Sequence, residues 1–181
     1  IEDLISKTVS EFGRIDILVN NAGVAITKKA EDLTEDDWDK VINTNLKGVF
    51  LMAQAAGKRM IEQKSGCIIN IASVLGLVGD KNILPYLCSK GGVVQLTKGL
   101  ALEWVKHNIR VNAIAPGYVI TPINEKELSQ EKVKSYLLGK TPMRRFGTTD
   151  EIAGAAVFLA SDEASYLTGS IMSVDGGWTA Q

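Results

Sequence analysis

Four short runs of apolar, largely β-branched residues constrain the fold of this chain more than any other feature: IDILVN at 15–20, GCIINIAS at 66–73, IRVNAIAP at 109–116 and SIMSVDGG at 170–177. They are apolar almost throughout, without the alternation of a half-exposed strand, and read as strands buried on both faces. Helical patterns fill the intervals. The first holds LTEDDWDKVINTNLKGVFLMAQAAGKRMIEQ, opening on Thr34 and Asp37 at capping-box spacing, and the second carries apolar positions at helical spacing over 86–106. After the third run, SQEKVKSYLLG predicts a short helix and TTDEIAGAAVFLAS a longer one, with Thr148 and Glu151 as its capping box. Strands alternating with helices imply βαβ units with right-handed crossovers. The expected fold is therefore α/β, a doubly wound parallel sheet with helices on both faces.

A length of 181 residues suits one domain. With 45% apolar residues, 23% charged residues and a net charge of −1, the composition is that of an ordinary soluble globular protein. No cluster of Lys and Arg forms a basic stripe, so no nucleic-acid partner is expected. The apolar stretches are interrupted well short of the ~20 residues a membrane span needs, and a cytoplasmic location is expected. Cys67 and Cys88 are expected as buried free thiols, and no Cys/His spacing suggests a metal site. The single histidine, His107, stands in VKHNIR where a helix should end, and a cation at a helix C-terminus explains it.

In open α/β sheets, ligands bind beyond the carboxyl ends of the strands. Those ends carry Asn20, Asn21, Ala22 and Gly23 after the first run, Ser73 in the second, Pro116 and Gly117 in the third, and Asp175, Gly176 and Gly177 in the fourth. Beyond the second run stands PYLCSKGG, with Tyr86 and Lys90 one helical turn apart. A free phenol has a pKa of ~10, and a neighbouring ammonium stabilises the phenolate and lowers it toward a range useful for proton transfer. The irregular 117–147 connection, entered through Pro116 and containing Pro122 and Pro142, is the expected lid or substrate loop.

Taken in order, NNAG, NIASVLG, YLCSK, PGYVIT and VDGGW resemble the short-chain dehydrogenase/reductase family across essentially the whole chain, with Ser73 thirteen residues before Tyr86. The resemblance implies a Rossmann-like fold and hydride transfer between NAD or NADP and a small-molecule secondary alcohol or ketone. It implies Tyr86 as general acid/base, and Lys90 as both the cation that lowers its pKa and a ligand of the nicotinamide ribose. Ser73 would bond the substrate oxygen, and Asn45 in NTNLKG would belong to the proton relay, with Asn43 as its rival. Asn20, Ala22 and Gly23 resemble the segment that supports the sheet and lines the adenosine-ribose side of the cofactor. Pro116, Gly117 and Thr121 resemble the turn that meets the nicotinamide, whereas Asp175, Gly176 and Gly177 resemble a structural closure near a subunit interface. Helices 34–62 and 86–106 resemble the family's subunit contacts, so a homodimer or homotetramer is expected. Within the family, PYLCSKGGV and VDGGWTA lean toward gluconate 5-dehydrogenases and 3-oxoacyl-carrier-protein reductases, and so toward a sugar acid, polyol or 3-oxoacyl substrate.

One departure is large. The family opens on a strand and a Gly-x-x-x-Gly-x-Gly turn that receives the pyrophosphate at a helix N-terminus, and no such turn occurs among the seventeen glycines here. The chain opens instead on IEDLISKTVSEFGRID, inside a helical pattern, and reads as lacking about two βαβ units of roughly 30 residues each. The strand at 15–20 is then expected at an exposed sheet edge, with self-association and weak cofactor binding as consequences. A non-catalytic remnant acting through its oligomer interfaces is the alternative to the enzyme.

Overall fold

The four apolar runs become four parallel strands. The computed structural model describes residues 1–122 and 124–181, without the side chains of Lys126 and Glu127. Helix α1 (Glu2–Phe12) precedes β1 (Ile17–Asn20); α2 (Glu35–Ile42), a π-helical turn (Asn43–Lys47) and α3 (Gly48–Gln63) lead to β2 (Gly66–Ile71). Helix α4 (Leu84–Trp104) returns to β3 (Ile109–Pro116), and α5 (Glu125–Leu128), α6 (Glu131–Lys140) and α7 (Thr149–Ala160) precede β4 (Ile171–Val174). The strands pair in the order β1-β2-β3-β4, all parallel, giving the doubly wound sheet that the alternation of patterns implies.

Local chemistry starts the helices where expected. Thr34 and Asp37 form a complete capping box on α2, and Thr148 and Glu151 form one on α7. The pattern over 34–62 is not one continuous helix, however. A π turn at Asn43–Lys47 separates α2 from α3 and turns Asn45 inward, fully buried, while Asn43 stays exposed.

The sheet is covered on both faces. On one face Ile68, Ile109 and Val111 pack against Ala53, Ala56 and Met60 of α3 and against Leu100 and Ala101 of α4. On the other, Cys67, Ile69 and Ile114 meet Leu159 of α7. Two expectations need correction. The run at 15–20 is not buried on both faces, because β1 forms the edge of the sheet and leaves Ile17 49% and Val19 46% exposed. Cys88 is exposed rather than buried, since it lies on the outer side of α4 one turn from the half-exposed Leu84; Cys67 is buried.

A buried polar chain pins α4 across the sheet. Asn20 Nδ2 donates to Asn70 Oδ1 at 2.9 Å, Asn70 Nδ2 donates to Thr97 Oγ1 at 2.9 Å, and Thr97 donates to the Val93 carbonyl at 2.8 Å. Among the described residues, no helix is long and apolar enough to cross a membrane, and no group of three or more His, Cys, Asp or Glu could hold a metal ion.

Close packing of α3 on α4 depends on a missing side chain: a Cβ on Gly57 would stand 2.6 Å from the Trp104 ring. Gly57→Ala is therefore expected to destabilise the fold by about 1–3 kcal/mol. Gly99→Ala, in the interior of α4 with open space around it, is expected to stabilise by about 0.5–1 kcal/mol. Urea denaturation of both variants checks the contrast.

Candidate active site

The carboxyl ends of β1, β2 and β3 converge on one cavity of about 720 Å³. Its floor and near wall are Gly23, Ser73, Tyr86, Lys90, Pro116 and Gly117.

Lys90 is placed by helix and strand together. It is 4% exposed, and its Nζ donates to the Ile71 carbonyl at 2.6 Å, at the end of β2. The close approach of backbone at Lys90 depends on glycine: a Cβ on Gly76 would lie 2.7 Å from the Lys90 carbonyl. A Cβ on Gly92 would lie 2.6 Å from the tip of Leu46, a side chain that can shift. Tyr86, in the first turn of α4, presents its ring 5.6 Å from the Lys90 amine, and its hydroxyl neighbours Ser73. Ser73 Oγ also accepts the Leu75 N–H at 3.1 Å, which fixes the hydroxyl at the mouth of the following turn.

Burial governs both titrating groups. It pushes the Lys90 amine down to about 8. Burial also pushes the Tyr86 phenol up, and the neighbouring Ser73 hydroxyl only partly opposes this. The lowering of Tyr86 expected from the adjacent ammonium is thus not found: the same desolvation that raises the phenol favours the uncharged amine beside it.

Asn45 stands behind the cavity rather than in it. Its Oδ1 accepts the Val24 N–H at 2.8 Å, while its Nδ2 donates to the Val24 carbonyl at 2.8 Å and to Ser89 Oγ at 3.2 Å. Both amide hydrogens are committed, and the segment after β1 is clipped to the π turn.

Of the residues expected at the cofactor, Gly23, Tyr86, Lys90, Pro116, Gly117 and Thr121 line the cavity, whereas Asn20 and Ala22 do not. Asn20 is 7% exposed and committed to Asn70; it supports the sheet. Its neighbour Asn21 reaches the cavity instead. Strand alternation carries that signal, because consecutive side chains point to opposite sides. Asp175 accepts the Gly177 N–H and the Thr179 N–H, both at 2.9 Å, and closes the last turn as a structural residue.

Sequence reasoning expected a substrate loop over 117–147 but singled out neither its Tyr118 and Tyr136 nor Asp80, all of which line the cavity; Tyr118 donates to Asp80 Oδ2 at 3.2 Å. Lys140 Nζ lies 4.6 Å from the Tyr136 ring centroid, and the Tyr118 and Trp178 rings are 5.0 Å apart. These residues come from separate segments, and nothing local in any segment announces their meeting. The Lys90 amine, the Tyr86 phenol and the Thr121 hydroxyl, beside the close backbone at Pro116–Gly117, give one cavity the polar groups with which a dinucleotide cofactor could be held.

Residues 1–179 match the family model described as Enoyl-(Acyl carrier protein) reductase. The chain is 46% identical over 177 residues to the 3-oxoacyl-[acyl-carrier-protein] reductase FabG of Thermotoga maritima, covering 98% of this chain and 71% of that protein. It is 46% identical over 182 residues to the 2-dehydro-3-deoxy-D-gluconate 5-dehydrogenase of Escherichia coli, covering 100% of this chain and 72% of that protein. Among solved structures, a gluconate 5-dehydrogenase from Burkholderia cenocepacia in complex with NADP and tartrate superposes with a TM-score of 0.97 at 39% identity, over 99% of this chain and 71% of that one.

The depressed Lys90 pKa carries a stability signature. Between about 8 and the ordinary 10.5 the unfolded chain holds a proton that the folded chain does not, so stability rises with pH through that window. Relative to Lys90→Met, which removes the group, the unmodified protein is expected to gain about 3 kcal/mol of unfolding free energy across it. Urea melts in steps of pH measure this; identical pH dependence in the two proteins would mean that the amine is solvated.

Proposed function

Because the chain belongs to the short-chain dehydrogenase/reductase family of NAD- or NADP-dependent oxidoreductases acting on CH–OH groups, we propose that Tyr86 is the general acid/base of its alcohol–ketone interconversion. One observation carries the reading. A phenol, a neighbouring serine hydroxyl and a buried amine meet in one cavity at the strand ends of a doubly wound sheet.

Ser73 and Tyr86 are placed to hold a substrate oxygen between two hydroxyls, fixing the carbonyl carbon against the floor of the cavity. A bound nicotinamide supplies or accepts the hydride. Its ribose and carboxamide end would be held by Lys90, Thr121 and the Pro116–Gly117 turn, with Gly23 leaving room beside the amine. In reduction, the phenol gives its proton to the oxygen as negative charge develops there. The Tyr86 phenol, with its pKa raised by burial, is protonated at neutral pH and so carries the proton that reduction needs. In oxidation, the phenolate must form, and its charge is stabilised by Lys90 when the amine is protonated, below about 8. Asn45 enters the same scheme by fixing Val24 and α4 around this pair.

The segment 117–147 is the substrate loop in this reading. It supplies Tyr118, Thr121, Leu128, Val133, Tyr136 and Leu137 to the cavity. The substrate in this reading is a sugar acid, a polyol or a 3-oxoacyl compound; the names of the E. coli and T. maritima relatives support the first and the last. A cytoplasmic homodimer or homotetramer completes the reading, supported by the exposure of Phe50 on α3 and Leu102 on α4. The rival reading, a non-catalytic chain acting through its surfaces, draws on the exposed β1 edge and requires no turnover.

Nicotinamide absorbance followed with NADH and NADPH, against keto sugar acids and 3-oxoacyl thioesters, tests both. Turnover is expected from the unmodified protein, and Tyr86→Phe should lower kcat/KM by about 10²–10⁴. Turnover unaffected by Tyr86→Phe would remove the acid/base role, and its absence with every pair would favour the rival.

A further inference from the structure

One buried hydroxyl joins Asn45 to α4 and is not used by the chemistry above. Ser89 lies between Tyr86 and Lys90 in sequence and is fully buried. Its Oγ donates to the Tyr86 carbonyl at 2.8 Å and accepts from Asn45 Nδ2 at 3.2 Å. A helical serine bonded back to a carbonyl one turn earlier is ordinary. The second bond is not, because the partner is an asparagine with no amide hydrogen to spare: the other is held by the Val24 carbonyl.

The hydroxyl is therefore one joint in a line of bonds that runs from Val24 through Asn45 and Ser89 to Tyr86. The line ties the loop after β1 to the π turn and the π turn to the first turn of α4. What the hydroxyl grips is the backbone that carries both titrating side chains, since the Tyr86 carbonyl also accepts from the Lys90 N–H in the regular helical ladder. Rotation of that turn about the helix axis would swing Tyr86 away from Ser73 and draw the Lys90 amine off the Ile71 carbonyl. Two hydrogen bonds on one side chain, one toward the helix and one toward a separate element, oppose that rotation. A residue serving only to fill space would need neither.

We infer that Ser89 is a positioning residue for Tyr86 and Lys90, coupling the turn that bears them to the Asn45 clip. The inference rests on reading those two side chains as the working pair, but its test reads the amine and not turnover, so the two can fail separately. The protein labelled with ¹³C at lysine Cε is titrated by NMR, with Lys90→Met assigning the resonance. The Lys90 midpoint in the unmodified protein is expected at about 8. In Ser89→Ala it is expected to move up by about half a pH unit or more, as the loosened turn admits water to the amine. Ser89→Cys, close in shape and a weaker acceptor, should move it in the same direction by less. Circular dichroism and the urea midpoint report the fold in parallel; a merely structural role would lower the urea midpoint and leave the Lys90 midpoint in place. An unchanged Lys90 midpoint in either folded variant overturns the inference, and so does failure of both to fold, which would make Ser89 a core residue and nothing more.

Discussion

The hydrogen bond from Lys90 Nζ to the Ile71 carbonyl is the constraint on which the site depends. An amine 4% exposed loses most of its hydration, and a strand-end carbonyl at 2.6 Å is the acceptor that replaces it. For the bond to form, α4 must lie at one height above the sheet and at one rotation about its own axis. Height is set one residue earlier on β2, where Asn70 reaches Thr97. Rotation is set at Ser89 and Asn45. The glycine at 76 then allows the surrounding backbone to close around the lysine.

Desolvation opposes charge on both groups of this pocket. It moves the lysine down to about 8 and the tyrosine up, so at neutral pH the pair is a phenol beside an ammonium and not the phenolate–ammonium couple that spacing alone suggests. An uncharged phenol is a donor. The protein residues thus provide a site ready to protonate an oxygen that gains electron density, and the reverse reaction calls for positive charge on the lysine. Ser73 works in either direction because a hydroxyl both donates and accepts.

Much of this was legible in the sequence, for identifiable reasons. Strands β2 and β3 are buried on both faces, so their apolar runs could not be mistaken, and the two capping boxes at Thr34 and Thr148 rest on purely local chemistry. The pairing of Tyr86 with Lys90 was legible because they share a helix turn, and Ser73 stood out at a strand end; that Ser73 joins the pair was implied by the resemblance carried by NIASVLG and YLCSK. The π turn was not, since Gly48 at its end keeps helical backbone and the bonds that accompany the turn run from Asn45 to Val24, twenty-one residues away. The bond of Tyr118 to Asp80 was equally silent, because the aspartate lies outside the 117–147 segment and their contact is a property of the tertiary fold. The edge position of β1 changed the burial of Ile17 and Val19 without changing their apolar pattern, so composition alone overstated how deeply that strand lies.

The whole reading comes down to whether a hydride and a proton meet a carbonyl in this cavity. Reduction of a keto sugar acid or a 3-oxoacyl thioester with NADPH or NADH deuterated at C4 of the nicotinamide, followed by mass spectrometry and NMR of the alcohol, observes that event directly. One deuterium on the carbinol carbon, in a single configuration, is the predicted result. Alcohol carrying no deuterium from either face of the labelled cofactor, or deuterium spread over both configurations, would contradict it.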